Sequence, residues 1–239
     1  MQTMIWFIGE VTDVSDKLGR VKVRIVDQHD DIDDKDLPLA IVAQSTMSAS
    51  MSGVGSSPHG LLKGSNVVGF YLDGDTKQIP FILCTFNSQT DDKPDVNELA
   101  FNEKSEYPKN KVYHTESGHT IEIDDSKDNG RIHIKHRTGT FYIIYNDGTF
   151  TRCSVKDDYQ VTAGNGHITV KGNVTEKIDG NYTLHVGGNY SVKVGGSTTF
   201  DVSGGYSNKV GGSYSIKSAS YNLNAGGQAK LKAGVIMLN

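Results

Sequence analysis

The sequence predicts an all-β protein, with a small N-terminal β domain followed by a repeat whose unit is too short to fold alone. Three observations carry this expectation. From Val170 to Gly212 the chain repeats every eight residues, with glycine at Gly172, Gly180, Gly188, Gly196, Gly204 and Gly212. Two residues before each glycine stands a branched aliphatic: Val170, Ile178, Val186, Val194, Val202 and Val210. Toward the N-terminus, Val21, Val23 and Ile25 alternate with Lys22 and Arg24, the period of a half-buried strand. A chain of 239 residues with 36% hydrophobic content suits one or two modest domains. Its 27 glycines are concentrated in the repeat, so they read as structural rather than as a sign of disorder.

In order along the chain, Trp6, Ile8, Glu10 and Val11 open a first strand, and Gly19 turns it into the second at Val21 to Ile25. Ser45 to Gly60 reads as a long loop. Val67 to Leu72 and Ile79 to Phe86 are further strands, parted by an Asp73-Gly74-Asp75 turn. These elements make a domain over residues 1–88. Residues 89–110 are polar and aperiodic and read as a linker. Residues 111–159 form a neck of alternating strands (HTIEID, RIHIKH, TFYIIY and TFTRCSV), with turns at Asp128-Asn129-Gly130 and Asn146-Asp147-Gly148. Residues 160–239 carry the octads. Near Lys217 to Ser220 their phase slips by one residue, as a bulge or corner would cause.

Each octad supplies one strand of about five or six residues and a corner, where glycine is expected to give a positive φ. The apolar face can then be buried in two ways. One chain can wind three octads per turn, or three chains can each contribute one strand per layer. Three chains are favoured, because threefold winding closes every side and leaves edges only at the ends. The column from Val170 to Val210 would then pack on the threefold axis.

Composition and spacing exclude several function classes. The net charge of −4 exerts no general pull on nucleic acid. Residues 1–90 hold seven Lys/Arg against eleven Asp/Glu, which argues against a phosphate-tracking groove. The aromatics Trp6, Phe70, Tyr71, Phe81 and Phe86 lie in strand runs, where core packing is expected. Asp30 to Asp34 reads as a solvated acidic loop rather than a cation site. His133 and His136, three apart in a strand, face opposite ways and cannot share a metal. His114, His119 and Glu116 offer no stronger case for a metal or an acid–base pair. Calcium-binding repeats need an Asp in every turn, and the octads hold only Asp179 and Asp201. No catalytic, cofactor or metal site is expected. Cys84 and Cys153 are expected free and packed. No secretory leader or membrane span is visible. One octad position carries Lys177, His185, Lys193, Asp201, Lys209 and Lys217. This column is either a solvated face that blocks edge association or a weak attractor for anionic envelope polymers.

The octads, with Val186-Gly187-Gly188, Val194-Gly195-Gly196 and Val210-Gly211-Gly212, resemble the trimeric β-helix of contractile-tail phage central spike proteins and of the related type VI secretion spikes. IWFIGEVTDVSDKLGRVKVRIVDQH and SASMSGVGSSPHGLLKGSNVVGFYLD resemble the OB-fold domain of T4-type spikes. HTESGHTIEIDDSKDNGRIHIKHRTGTFYIIYNDG resembles the segment where their prisms start, and the ending GVIMLN is similar too. The resemblance implies an OB-fold barrel followed by an intertwined trimeric β-helix, a structural central spike of a phage baseplate that pierces the host envelope, and location in the virion. It implies a homotrimer, a separate gp27-like hub protein at the OB-fold end, and a PAAR-like tip protein seated on Val235, Met237, Leu238 and Asn239. In T4-type spikes a lysozyme domain separates barrel and prism. Here only residues 89–110 occupy that place, so no enzyme is expected. No histidine follows His185, so no iron-binding tip is expected. The alternative is a β-helical carbohydrate-binding or depolymerising protein of the tailspike kind.

Overall fold

Closure of five short strands onto one another gives the N-terminal region its core. The structure, a computed structural model, describes residues 4–87, 106 and 108–237. It divides into two units, Met1–Gly166 and His167–Asn239, each considered by itself.

In the first unit, β1 (Trp6–Asp13), β2 (Val21–Ile25), β3 (Leu39–Val42), β4 (Asn66–Tyr71) and β5 (Pro80–Thr85) form a closed barrel in the order β1-β2-β3-β5-β4. β3 pairs parallel with β5 and the other pairs are antiparallel. This is the five-stranded arrangement of an OB-fold. The inward residues follow from the alternation: Phe7 and Val11 of β1, Val21, Val23 and Ile25 of β2, Ala40, Val67, Tyr71 and Ile82 make one core. Gly69 is needed for closure, since a Cβ there would lie 2.2 Å from the Phe81 carbonyl oxygen and 2.7 Å from the Phe7 ring. Gly19 takes φ +73° in the β1–β2 turn. β3 goes beyond the sequence expectation. Leu39–Val42 is four residues long, follows a proline and shows no alternation, so only its pairing defines it as a strand.

A second sheet in the same unit is an antiparallel meander of β6 (Asn110–His114), β7 (Thr120–Asp124), β8 (Arg131–Lys135), β9 (Phe141–Tyr145) and β10 (Phe150–Cys153). β6 was likewise not foreseen, because the polar run before it hides the alternation of its five residues. Most of the linker, 89–105 and 107, lies outside the described residues.

The described residues of the second unit form no internal sheet. Among the described residues beyond Cys153 no strand is hydrogen-bonded to another, and every side chain is exposed. Bends instead recur every eight residues, beginning in the first unit at Val155-Lys156 and Ala163-Gly164 and continuing in the second at 171–172, 179–180, 187–188, 195–196, 203–204 and 211–212. The next bends start at residues 219, 226 and 234, so one interval is seven residues, where the sequence phase slips. The six octad glycines sit in these bends, but none takes a left-handed φ, and a Cβ on any of them meets nothing within 4 Å. The expected positive φ is therefore corrected: the turn is made with backbone angles that other residues can adopt.

Two further expectations need correction. Tyr71 is buried, but Trp6, Phe70 and Phe81 point outward and Phe86 is exposed, because they fall on the outer set of the barrel alternation. Cys84 and Cys153 are free thiols, and Cys84 is exposed rather than packed.

Candidate functional site

The distinctive surfaces of this chain are faces rather than clefts. In the meander, cross-strand partners share a face, so the register sorts the side chains into two sets. One set is Tyr113, Ile121, Ile134 and Tyr142 in one row and Ile123, Ile132, Ile144 and Phe150 in the next. The other contains Asn110, Thr120, Glu122, Asp124, Arg131 and His133. Of this second face Asn110, Thr120, Glu122, Asp124 and the facing Ile143 are buried. Glu122 is 2% exposed, whereas the five isoleucines and Tyr142 of the apolar set are 43–50% exposed.

Glu122 can be buried because its carboxylate is fully engaged. The Arg131 guanidinium donates to Oε2 at 3.0 Å and to Oε1 at 2.7 Å, in the bidentate geometry that favours such pairs. Asn110 Nδ2 donates to Oε1 at 2.8 Å, and His133 Nδ1 lies 3.4 Å from Oε2. Asp124 accepts from the Ser126 backbone N–H at 2.9 Å and from Asn129 Nδ2 at 3.0 Å. The sequence reading missed this network. Its signal was the pairing of Glu122 and His133 between isoleucines, visible only once the register is known.

A second apolar face covers one side of the barrel. Trp6, Phe70, Phe81 and Ile41 form a row across β1, β4, β5 and β3. Trp6 and Phe70 meet edge-on at 5.4 Å, and Phe70 and Phe81 lie 5.3 Å apart. Ile8 and Val68 pair in the adjoining row. The opposite side, on β2, presents Lys22 and Arg24 instead.

A third set lies in the octads. Val170, Ile178, Val186, Val194, Val202 and Val210 are each 44–52% exposed. Of the four residues named for tip docking, Val235 and Met237 are exposed, and Leu238 and Asn239 lie outside the described residues.

The candidates for chemistry are tied up locally. The acidic loop is held by cations: Arg24 donates to the Ile32 carbonyl at 2.8 Å and to Asp34 Oδ1 at 2.7 Å, and Lys22 reaches the Asp34 carbonyl at 3.3 Å. His136 lies in a turn with its ring 4.3 Å from that of His119, not beside His133. His114 Nδ1 is 2.9 Å from the Thr120 hydroxyl. Among the described residues, no three His, Cys, Asp or Glu side chains gather as metal ligands would. A cavity of about 820 Å³ opens on the polar face of the meander, lined by Glu122, Arg131, His133, Lys135, Tyr145 and Asp147 among others. Of its three carboxylates, Glu122 is held by Arg131, Asp147 accepts from the Thr149 backbone N–H at 2.9 Å, which lowers its pKa, and Asp128 lies in the β7–β8 turn. Among the described residues no helix is long and apolar enough to cross a membrane.

Comparison with known proteins agrees with this architecture. The family model described as the Gp5 N-terminal OB domain matches residues 22–140, and three copies of the Gp5 C-terminal repeat match residues 180–203, which is eight residues per copy. Protein Gp5 of Vibrio phage KVP40 is 26% identical over 260 residues, covering 71% of this chain and 62% of that protein. The pre-baseplate central spike protein Gp5 of Enterobacteria phage T4 is 36% identical over 115 residues, covering 44% of this chain and 20% of that protein. The chain thus spans about three fifths of the first relative and one fifth of the second. Matches to Gp5 thus fall within the barrel, the meander and the octads, and this chain is homologous to the Gp5 proteins of these two phages.

Proposed function

We propose that the chain is the structural central spike of a phage baseplate or a related contractile injection machine, assembled from three copies. The isoleucine face of the meander is the observation that carries this reading. Half-exposed isoleucines leave roughly 1 kcal/mol each to be gained by full burial, and no residue of the same sheet can supply it. Three copies packed about one axis cover all three faces by symmetry. The octads continue the same logic. Their valines would line the threefold axis, the glycine bends would form the corners, and the backbone groups left unpaired in one chain would pair with the neighbouring chains.

The role is mechanical: the prism transmits force to a tip that pierces the host envelope, in transient contact with it, as part of the virion. The T4 relative is named a spike, and neither relative carries an enzyme name. Residues 86–109, between β5 and β6, are too few to contain an enzyme domain. The Trp6–Phe70–Phe81 face suits docking to an apolar surface of a separate gp27-like hub protein. Val235, Met237, Leu238 and Asn239 would receive a PAAR-like tip protein. The tailspike-like alternative needs a free carboxylate pair in a groove; Glu122 on the meander is saturated by Arg131 and Asn110, and in the acidic loop of the barrel Asp34 pairs with Arg24 and Asp33 with Lys35.

Light scattering on a sizing column tests the assembly. A mass near three times 26.0 kDa, about 78 kDa, with an elongated profile is expected. A compact monomer would overturn the proposal.

A further inference from the structure

The repeat region is the one part of this chain with a basic excess. Residues 160–239 hold seven lysines, no arginine and three acidic residues, a net of +4, in a chain whose total is −4. The bends show how these lysines are arranged. Two residues before the bends that begin at 179, 187, 195, 203, 211 and 219 stand Lys177, His185, Lys193, Asp201, Lys209 and Lys217. After the seven-residue interval the bends at 226 and 234 place Asn224 and Lys232 in the same column, so five of the seven lysines share one position. That position directly precedes the valine column, so along a strand it points to the opposite face. When the valines face the axis, the lysines face outward.

Ion pairing does not cancel this charge. Lys177 Nζ lies 2.9 Å from Asp179 Oδ1, with both side chains more than four-fifths exposed. Among the described residues, Lys193, Lys209, Lys217 and Lys232 have no acidic partner within salt-bridge reach. Pairing between copies cannot cancel it either, because each chain brings seven lysines and only three acids. Lysine is a compact point charge without the planar fork with which arginine grips phosphate, so its contacts are exchangeable. Three copies would distribute the column around the shaft, matching a surface that encircles it rather than a duplex lying along one side.

We infer that the outward lysine column is an interaction surface for phosphate-bearing lipid, which attracts the shaft to an anionic lipid surface while leaving it free to slide. This rests on the three-chain reading, and its test separates the two. Full-length protein and the variant Lys193→Gln/Lys209→Gln/Lys217→Gln are first sized in solution, where both should have the trimer mass. They are then co-sedimented with phosphatidylcholine vesicles, with and without phosphatidylglycerol. Wild type should bind only the anionic vesicles and be released as salt rises through the range where the Debye length shrinks to a few ångströms. The variant should bind at least about tenfold more weakly. The control Lys17→Gln/Lys63→Gln, on the barrel, should bind like wild type. Equal binding to neutral vesicles, or an unchanged triple variant of trimer mass, would overturn the inference. So would retention by duplex DNA but not by anionic vesicles. A wild-type monomer mass would overturn the three-chain reading alone, since the vesicle comparison still reports on the lysines.

Discussion

The barrel and the octad region contain the same kind of side chain, a β-branched aliphatic repeated along short extended segments, yet they end in opposite states. Val11, Val21, Val23 and Ile25 are completely or almost completely buried, whereas Val186, Val194, Val202 and Val210 stay about half exposed. The difference is where the facing surface comes from. Five barrel strands curve into a closed ring and cover one another within about 80 residues. An octad bends away before it can pair with the next, so within the described residues its column of branched aliphatics has no facing surface. The meander lies between these extremes: its five strands pair with one another, but its isoleucine face stays half exposed. Self-sufficiency thus declines along the chain, and the tests below attack it region by region.

The largest expected effect is in the octads. Val194→Asp would place three carboxylates in one layer of the proposed axis, and such burial of unpaired charge is prohibitive. Light scattering should show loss of the trimer, while near-UV circular dichroism of the barrel aromatics stays native. A trimer of normal yield would refute the axial placement of this column. In the meander, Glu122→Ala leaves Arg131 buried without its bidentate partner and should cost about 3–5 kcal/mol in that region. Denaturant unfolding followed by hydrogen exchange should locate the loss in β7 and β8. An effect spread evenly over the barrel would contradict the placement.

A pair of glycines sharpens the contrast at intermediate scale. Gly69→Ala drives a Cβ into the Phe81 carbonyl and the Phe7 ring, and should destabilise the barrel by at least about 1–3 kcal/mol at any protein concentration. Gly188→Ala meets nothing in its own chain, so any effect should be on assembly and should depend on concentration. Thermal melts of both variants over a wide dilution series would tell these apart. The smallest effect is electrostatic. Asp16 accepts from the Arg20 guanidinium at 2.9 Å, which lowers its pKa to about 2. A carboxylate depressed on folding stabilises the native state above its unfolded value, near 4, and loses that contribution as pH falls toward 2. Asp16→Asn should therefore lower the melting temperature slightly at pH 6 and leave it unchanged near pH 2. A pH-independent difference would mean the pair contributes by packing alone.

Much of this was legible in advance because it depends on local period. The strands at Val21–Ile25 and Arg131–Lys135, the turn at Asp73 to Asp75 and the one-residue slip near Lys217 were all visible as spacing. β3 and β6 were not. Leu39–Val42 is extended because β2 and β5 flank it, and Asn110–His114 because β7 does, so neither strand needs a strong pattern of its own. The outward position of Trp6, Phe70 and Phe81 also escaped, since an aromatic in a strand reads the same on either face.

By itself, then, the sequence determined which residues share a face and where the chain turns, because side-chain alternation and glycine spacing are properties of a few consecutive residues. Only the tertiary structure decided which face is inside. In β7 and β8 it buried Glu122, Asp124 and Arg131 and exposed the isoleucines between them, a choice no periodicity contains. The physical reason is that burial depends on what lies opposite. A carboxylate can be enclosed where a guanidinium and an amide from neighbouring strands meet it, and an isoleucine stays exposed where nothing in its own sheet covers it.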